Sequence, residues 1–108
     1  MDSEVVVRGY YDAIDAHDYE TFEGLLAPDV VHDRPDRTID GRETLVTFMR
    51  DDRPNKRTTH EISSVSGNGT TTVVEGRLLD SDGEELFTFE DEFTLVDGRI
   101  TNIRTRAE

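Results

Sequence analysis

The stretch Phe87-Thr88-Phe89-Glu90-Asp91-Glu92-Phe93-Thr94-Leu95 holds the residues with the clearest chemical potential. In a strand, alternate side chains share a face. The odd positions then read Phe87, Phe89, Asp91, Phe93 and Leu95, an apolar face broken by one carboxylate. Burying that carboxylate among phenylalanines costs several kcal/mol unless it is paired, hydrogen-bonded or protonated. Desolvation raises a carboxyl pKa above its usual value of about 3.9 and suits it to proton transfer near neutrality. A bulge that swings Asp91 outward, or an arginine that neutralises it, would leave it structural.

The following strand arbitrates. A strict two-residue turn at Asp97-Gly98 sets Arg104 opposite Asp91. In that register Ile100 and Ile103 have opposite parity, so one faces water. A bulge brings Ile103 and Thr105 inward and turns Arg104 out. Apolar burial favours the bulge, and with it an Asp91 that has no direct arginine partner.

Other chemistries find little support. With no cysteine there is no disulfide, thiol nucleophile or cysteine metal site. No histidine–carboxylate cluster has metal spacing and no glycine-rich loop joins a strand to a helix, so neither metal nor cofactor is expected. Ser63, Ser64 and Ser66 lack a nucleophile-elbow context. His17 in a turn and His60 beside Ile62 are expected to be incidental.

The elements that must position Asp91 can be read from periodicity. Ser3 and Glu4 open a helix whose apolar stripe carries Val6, Tyr10, Ala13 and Ile14, with Val7 and Tyr11 alongside, and stops near His17-Asp18. Asp18 caps a second helix bearing Phe22, Leu25 and Leu26, closed by Pro28. Asp29–Asp33 reads as a short strand and Arg34–Asp40 as irregular. Gly41-Arg42-Glu43 opens a third helix with Leu45, Phe48 and Met49 inward, ending before Pro54. From Arg57 the period becomes two, predicting strands Arg57–Ser66, Thr70–Asp80, Glu84–Val96 and Arg99–Arg106. Hairpin signals at Gly67-Asn68-Gly69, Ser81-Asp82-Gly83 and Asp97-Gly98 join them into an antiparallel meander. The expected fold class is α+β, and 108 residues without repeat or linker predict one domain over residues 1–108.

Charge bounds the partners. A net charge of −13 argues against nucleic acid or an anionic membrane, both of which need a basic face. Eleven of the 12 basic residues are arginine, Lys56 being the exception. Heavy acidity with almost no lysine resembles proteins of salt-loving microbes, where screening over about 3 Å at 1 M salt relieves self-repulsion. Met1-Asp2-Ser3-Glu4 lacks the basic and apolar regions of a signal peptide, and no apolar run spans a bilayer, so a cytoplasmic protein is expected.

Together these segments resemble the nuclear transport factor 2-like superfamily, and within it the SnoaL-like domains and ketosteroid isomerases. The matching residues are Tyr10-Tyr11-Asp12-Ala13-Ile14-Asp15-Ala16-His17-Asp18, Leu25 through Asp33, Gly41-Arg42-Glu43-Thr44-Leu45, and Asp91-Glu92-Phe93-Thr94-Leu95 before Asp97-Gly98-Arg99-Ile100. The resemblance implies three N-terminal helices packed on a strongly bent antiparallel sheet, forming a cone with one pocket. In ketosteroid isomerases a helix tyrosine and a protonated late-strand aspartate polarise the substrate oxygen, and a second aspartate on the first strand moves the proton. Tyr10 and Asp91 match the first two. At the position of the first-strand base this chain has Arg34, with Asp33 on the opposite parity and His32 on the same. Val31-His32-Asp33 looks more like SnoaL-like domains, whose cyclases use a late-strand aspartate as acid/base.

The resemblance thus implies Asp91, His32 and Tyr10 as catalytic residues, with Tyr11, Arg34, Phe89, Phe93 and Ile103 lining a pocket for a small apolar molecule. Two readings stay open: a cofactor-free cyclase- or isomerase-type enzyme, and a non-catalytic binding domain of the same fold. The outer sheet face, carrying Thr88, Glu90, Glu92 and Thr94, is expected to make a homodimer, with Arg104 and Arg106 pairing across a two-fold axis.

Overall fold

Val6, Val7, Tyr10, Tyr11, Ala13 and Ile14, spaced three and four apart, bury one side of the first helix, α1 (Ser3–Asp15), in the computed structural model, which describes residues 3–53, 55–68 and 70–107. The N-terminal Met1-Asp2, the helix-stop Pro54 and the turn residue Gly69 lie outside the described residues. His17, at φ 57°, turns the chain, and Asp18 caps α2 (Tyr19–Gly24) by accepting from the Thr21 amide. That helix ends sooner than its apolar pattern predicts. Leu26 and Pro28 belong instead to β1 (Leu26–Asp33). Pro28 has no N–H to give a ladder, and it falls where β1 shifts register, between Leu26 and Val31.

The segment expected to be irregular contains a short strand, β2 (Thr38–Asp40), antiparallel to β1. Ile39 explains it: its buried side chain lies beside His32 in the ladder, so its backbone is held at the sheet edge. Next, α3 (Arg42–Thr47) runs into a π-helical turn, Phe48–Asp52, with Leu45, Val46, Phe48 and Met49 inward. β3 (Thr59–Asn68), β4 (Thr71–Leu79), β5 (Glu85–Val96) and β6 (Arg99–Ala107) complete the expected meander. Asp97 and Gly98 both take positive φ, 53° and 78°, the geometry of a tight hairpin turn.

The sheet has six strands in the order β2-β1-β6-β5-β4-β3. It is mixed rather than wholly antiparallel, because β1 pairs with β6 in parallel. The last meander strand has a free edge, and β1, separated from it in the chain by four strands and the α3 region, covers that edge running the same way. The expected irregularity is present between Thr94 and Leu95, so that Phe93 faces Ile103, Asp91 faces Thr105, and Arg104 falls opposite Glu92. Ile100 and Ile103 are both fully buried as a result. Among the described residues no helix is long and apolar enough to cross a membrane.

Candidate active site

Strand alternation on β5 turns Phe89, Asp91 and Phe93 to the same buried side, and the Asp91 side chain ends up 6% exposed. Two neutral hydroxyls hold it. Tyr11 Oη donates to Oδ2 at 2.5 Å, and Thr105 Oγ1 donates to Oδ1 at 2.6 Å. Arg104 lies outside, more than half exposed, 3.9 Å from Asp33. Burial pushes the Asp91 carboxyl above its ordinary range; the two hydroxyl donors, then His60 and Arg34, offset part of that rise. The carboxylate is therefore hydrogen-bonded without being clamped by a guanidinium.

His32 reaches the same cluster from β1. Its Nε2 lies 2.7 Å from Thr105 Oγ1, while its Nδ1 is buried without a hydrogen-bond partner among the described residues. Burial, reinforced by the positive charge of Arg34, lowers the His32 pKa to about 3, so the ring is neutral at neutral pH. Sequence reasoning brought Asp91 and His32 to one place, and the geometry links them through Thr105. That residue was expected inward but given no role.

The two tyrosines take different partners. Tyr11, not Tyr10, hydrogen-bonds Asp91. Tyr10 packs edge-on against Tyr11 and Phe93, at ring separations of 5.1 and 5.2 Å. Burial and the Asp91 charge push both phenols above their ordinary pKa, so both stay protonated. His60 packs beside this cluster. Its Nδ1 lies 2.6 Å from Asp15 Oδ1 and its ring 5.0 Å from that of Tyr11. Asp15 sits one helical turn beyond Tyr11, a spacing that points both side chains the same way. That i, i+4 pair was the available signal for a histidine contact.

Of the remaining expected lining residues, Phe93 and Ile103 are fully buried and Phe89 nearly so. Arg34 lies over the Phe48 ring, 5.0 Å from its centroid, with its Nε buried, 3.9 Å from Asp36 Oδ1 and without a hydrogen-bond partner among the described residues. The space around Asp91 is closely packed by Tyr10, Tyr11, Phe93 and Ile103, each at most 2% exposed. Three surface depressions, of about 410, 630 and 550 Å³, are lined by residues other than Asp91, Tyr11 and His32. Phe89 borders the first of them. Among the described residues no group of three side chains is arranged to hold a metal ion.

The model of the SnoaL-like domain matches residues 7–103, nearly the whole chain. The chain belongs to the SnoaL-like domain family. No curated protein matches it in sequence. Solved structures share its fold. An NTF2-like protein of unknown function from Cytophaga hutchinsonii superimposes with a TM-score of 0.86 at 13% identity, over 100% of this chain and 91% of that one. A ketosteroid isomerase-like protein from Kribbella flavida gives 0.86 at 22% identity, over 98% and 77%. A polyketide cyclase-like protein from Sinorhizobium meliloti gives 0.84 at 20% identity, over 98% and 100%. At such identities the likeness establishes the fold alone. What this SnoaL-like domain offers chemically is a desolvated carboxyl, a neutral imidazole and two phenol hydroxyls within one buried cluster.

Proposed function

We propose that this SnoaL-like domain binds a small apolar carbonyl compound and moves a proton on it without a cofactor, as in an aldol-type cyclisation or an enol isomerisation. Asp91 is the acid/base in this reading. The observation that carries it is a buried carboxyl held by two neutral hydroxyls instead of a cation. An arginine partner would pin the carboxylate in its charged form. Hydroxyl donors leave it free to exchange a proton, because they interact with the acid as well as with the anion. Tyr11 stabilises negative charge on Asp91, and Tyr10 and the neutral His32 are the nearby groups fitted to face a substrate oxygen.

The pocket of this reading is a cone closed by the helices, entered from the end of β1. Support for that direction comes from two buried nitrogens without a hydrogen-bond partner among the described residues, His32 Nδ1 on β1 and Arg34 Nε just beyond its end. Phe89, Phe93 and Ile103 would bound the apolar part of the ligand. The acid-rich, lysine-poor surface supports work in concentrated salt inside a cell, and the polar outer sheet face supports a homodimer. On that face Arg106 already lies 3.5 Å from Glu90 of its own chain.

The test is hydrogen–deuterium exchange at the α-carbon of a panel of cyclic ketones in D₂O, followed by mass spectrometry. Exchange that the protein accelerates and that Asp91→Asn removes is the expected result. Ketone binding with no accelerated exchange would assign the domain to ligand holding, the second reading.

A further inference from the structure

The Thr105 hydroxyl sits between Asp91 Oδ1 at 2.6 Å and His32 Nε2 at 2.7 Å. A hydroxyl has one proton to give, so it cannot donate to both. When Asp91 is ionised its oxygens only accept. Thr105 must then donate to Oδ1 and accept from an Nε2–H, which leaves His32 Nδ1 with a lone pair. That is the buried nitrogen without a partner among the described residues. When Oδ1 carries a proton the pattern reverses. The carboxyl donates to Thr105, Thr105 donates to Nε2, and the imidazole proton must reside on Nδ1.

We propose that Thr105 is a proton relay, so that His32 Nδ1 is the atom that exchanges a proton with the substrate while Asp91 stores it. The proposal rests on the proton-transfer reading above. In the forward step the α-C–H bond of the carbonyl compound breaks and its electron pair stays on the substrate as an enolate. The proton bonds to Nδ1, the Nε2 proton passes to Thr105 Oγ1, and the original Thr105 proton passes to Asp91 Oδ1. Imidazole and hydroxyl end as neutral as they began. One negative charge has moved from Asp91 to the enolate, and reversal of the chain returns the proton at another atom of the substrate.

The surroundings favour this route. Tyr11, from α1, occupies Oδ2, leaving Oδ1 as the oxygen aimed at Thr105. Arg34, just past the end of the strand that carries His32, acts on both ends of the chain: it stabilises the Asp91 anion and opposes a charged His32. His60, on β3 and held by Asp15 of α1, also favours the anion. Tyr10, the other phenol of α1, remains protonated. Glu92 and Arg104 flank the cluster from the opposite sheet face. The imidazole therefore changes tautomer without gaining charge. Thr105 acts through its neighbours, as a positioning residue.

The relay makes the tautomer of His32 and the ionisation of Asp91 one event, which needs no substrate to observe. Imidazole ¹⁵N shifts of His32 and the ¹³C carboxyl shift of Asp91 are to be followed together against pH. The expected result is a neutral ring that changes from Nδ1–H to Nε2–H with the same midpoint as Asp91. Thr105→Val uncouples the two, and Thr105→Ser restores the coupling. A His32 that keeps one tautomer throughout the Asp91 titration overturns the relay, as does a switch that survives in Thr105→Val. Should Thr105→Val not fold, the wild-type shifts and Thr105→Ser decide. A linked switch with ketone exchange indifferent to Asp91→Asn would remove the proton-transfer reading and leave the linkage standing.

Discussion

Arg104 and Asp91 lie on adjacent strands and do not meet: Arg104 is opposite Glu92 and extends outward toward Asp33, while Asp91 is opposite Thr105. One strand irregularity, between Thr94 and Leu95, decides this. With strict pairing from the turn the guanidinium would face the carboxylate and the site would be an ion pair. With the irregularity it is a carboxyl held by two neutral hydroxyls in an aromatic setting. The consequences are measurable.

Stability should depend on pH through Asp91. Its folded pKa is raised above the unfolded value of about 3.8, so the native state holds more protons than the unfolded state between those two values. Stability contributed by this group is present at low pH and lost as pH rises through that window. Denaturation midpoints for Asp91→Asn should lack this loss. Parallel pH profiles for the two proteins would contradict it.

His32 acts in the opposite sense. Its folded pKa, near 3, lies below its ordinary 6.5, so the unfolded state takes up protons first. The stability tied to a neutral His32 is complete above pH 6.5 and declines as pH falls toward 3, by a few kcal/mol in all. In His32→Gln the acid limb of the stability curve should be shallower by that amount, read from urea unfolding at successive pH values.

Tyr11→Phe and Tyr10→Phe should separate the neighbouring phenols. Removing the Tyr11 hydroxyl takes a donor from Asp91 Oδ2, so the carboxyl midpoint should rise further and stability should fall by about 1–3 kcal/mol. Tyr10→Phe leaves both Asp91 hydrogen bonds in place and should move that midpoint much less. Equal displacement by the two variants would argue against the Tyr11 assignment.

Gly76 tests the sheet beside the site. A Cβ there would stand 2.5 Å from the Glu61 carbonyl oxygen and 3.1 Å from Phe89 Cζ. Backbone cannot yield cheaply, so Gly76→Ala should prise β3 from β4 and displace Phe89, costing on the order of 1–3 kcal/mol. A melting temperature within a degree of wild type would contradict the close approach.

Salt should strengthen the protein. At net charge −13 self-repulsion opposes compaction, and screening relieves it. The melting temperature should climb from 0.1 M to 1 M KCl (about 10 Å to about 3 Å of screening length), and the dimer fraction in sedimentation should change with it. An unchanged melting temperature, with a monomer at both salt levels, would contradict the surface reading.

Much of this site was legible in the residues. The parity conflict between Ile100 and Ile103 forecast the irregularity, and with it an inward Thr105 and an outward Arg104. Period-two alternation alone turned Asp91 to the apolar side. What stayed hidden depended on rigid-body placement. Tyr10 and Tyr11 are adjacent on α1 and both fall in its buried arc, so the roll of the helix decides which hydroxyl reaches Asp91. The Asp15–His60 contact joins residues 45 apart: the i, i+4 spacing of Tyr11 and Asp15 places the carboxylate, but no local pattern names the histidine that meets it. The parallel β1–β6 pairing likewise reflects where the helices carry the chain. β2 leaves no mark in the sequence because three residues with a single buried isoleucine make no periodicity.

¹³C detection of the Asp91 side chain across a pH titration reads the ionisation of this carboxyl directly. The expected midpoint lies clearly above the ordinary value of about 3.8 and rises further in Tyr11→Phe. A midpoint at or below that value would mean the carboxylate is held as a settled anion, and acid/base work by Asp91 would be contradicted.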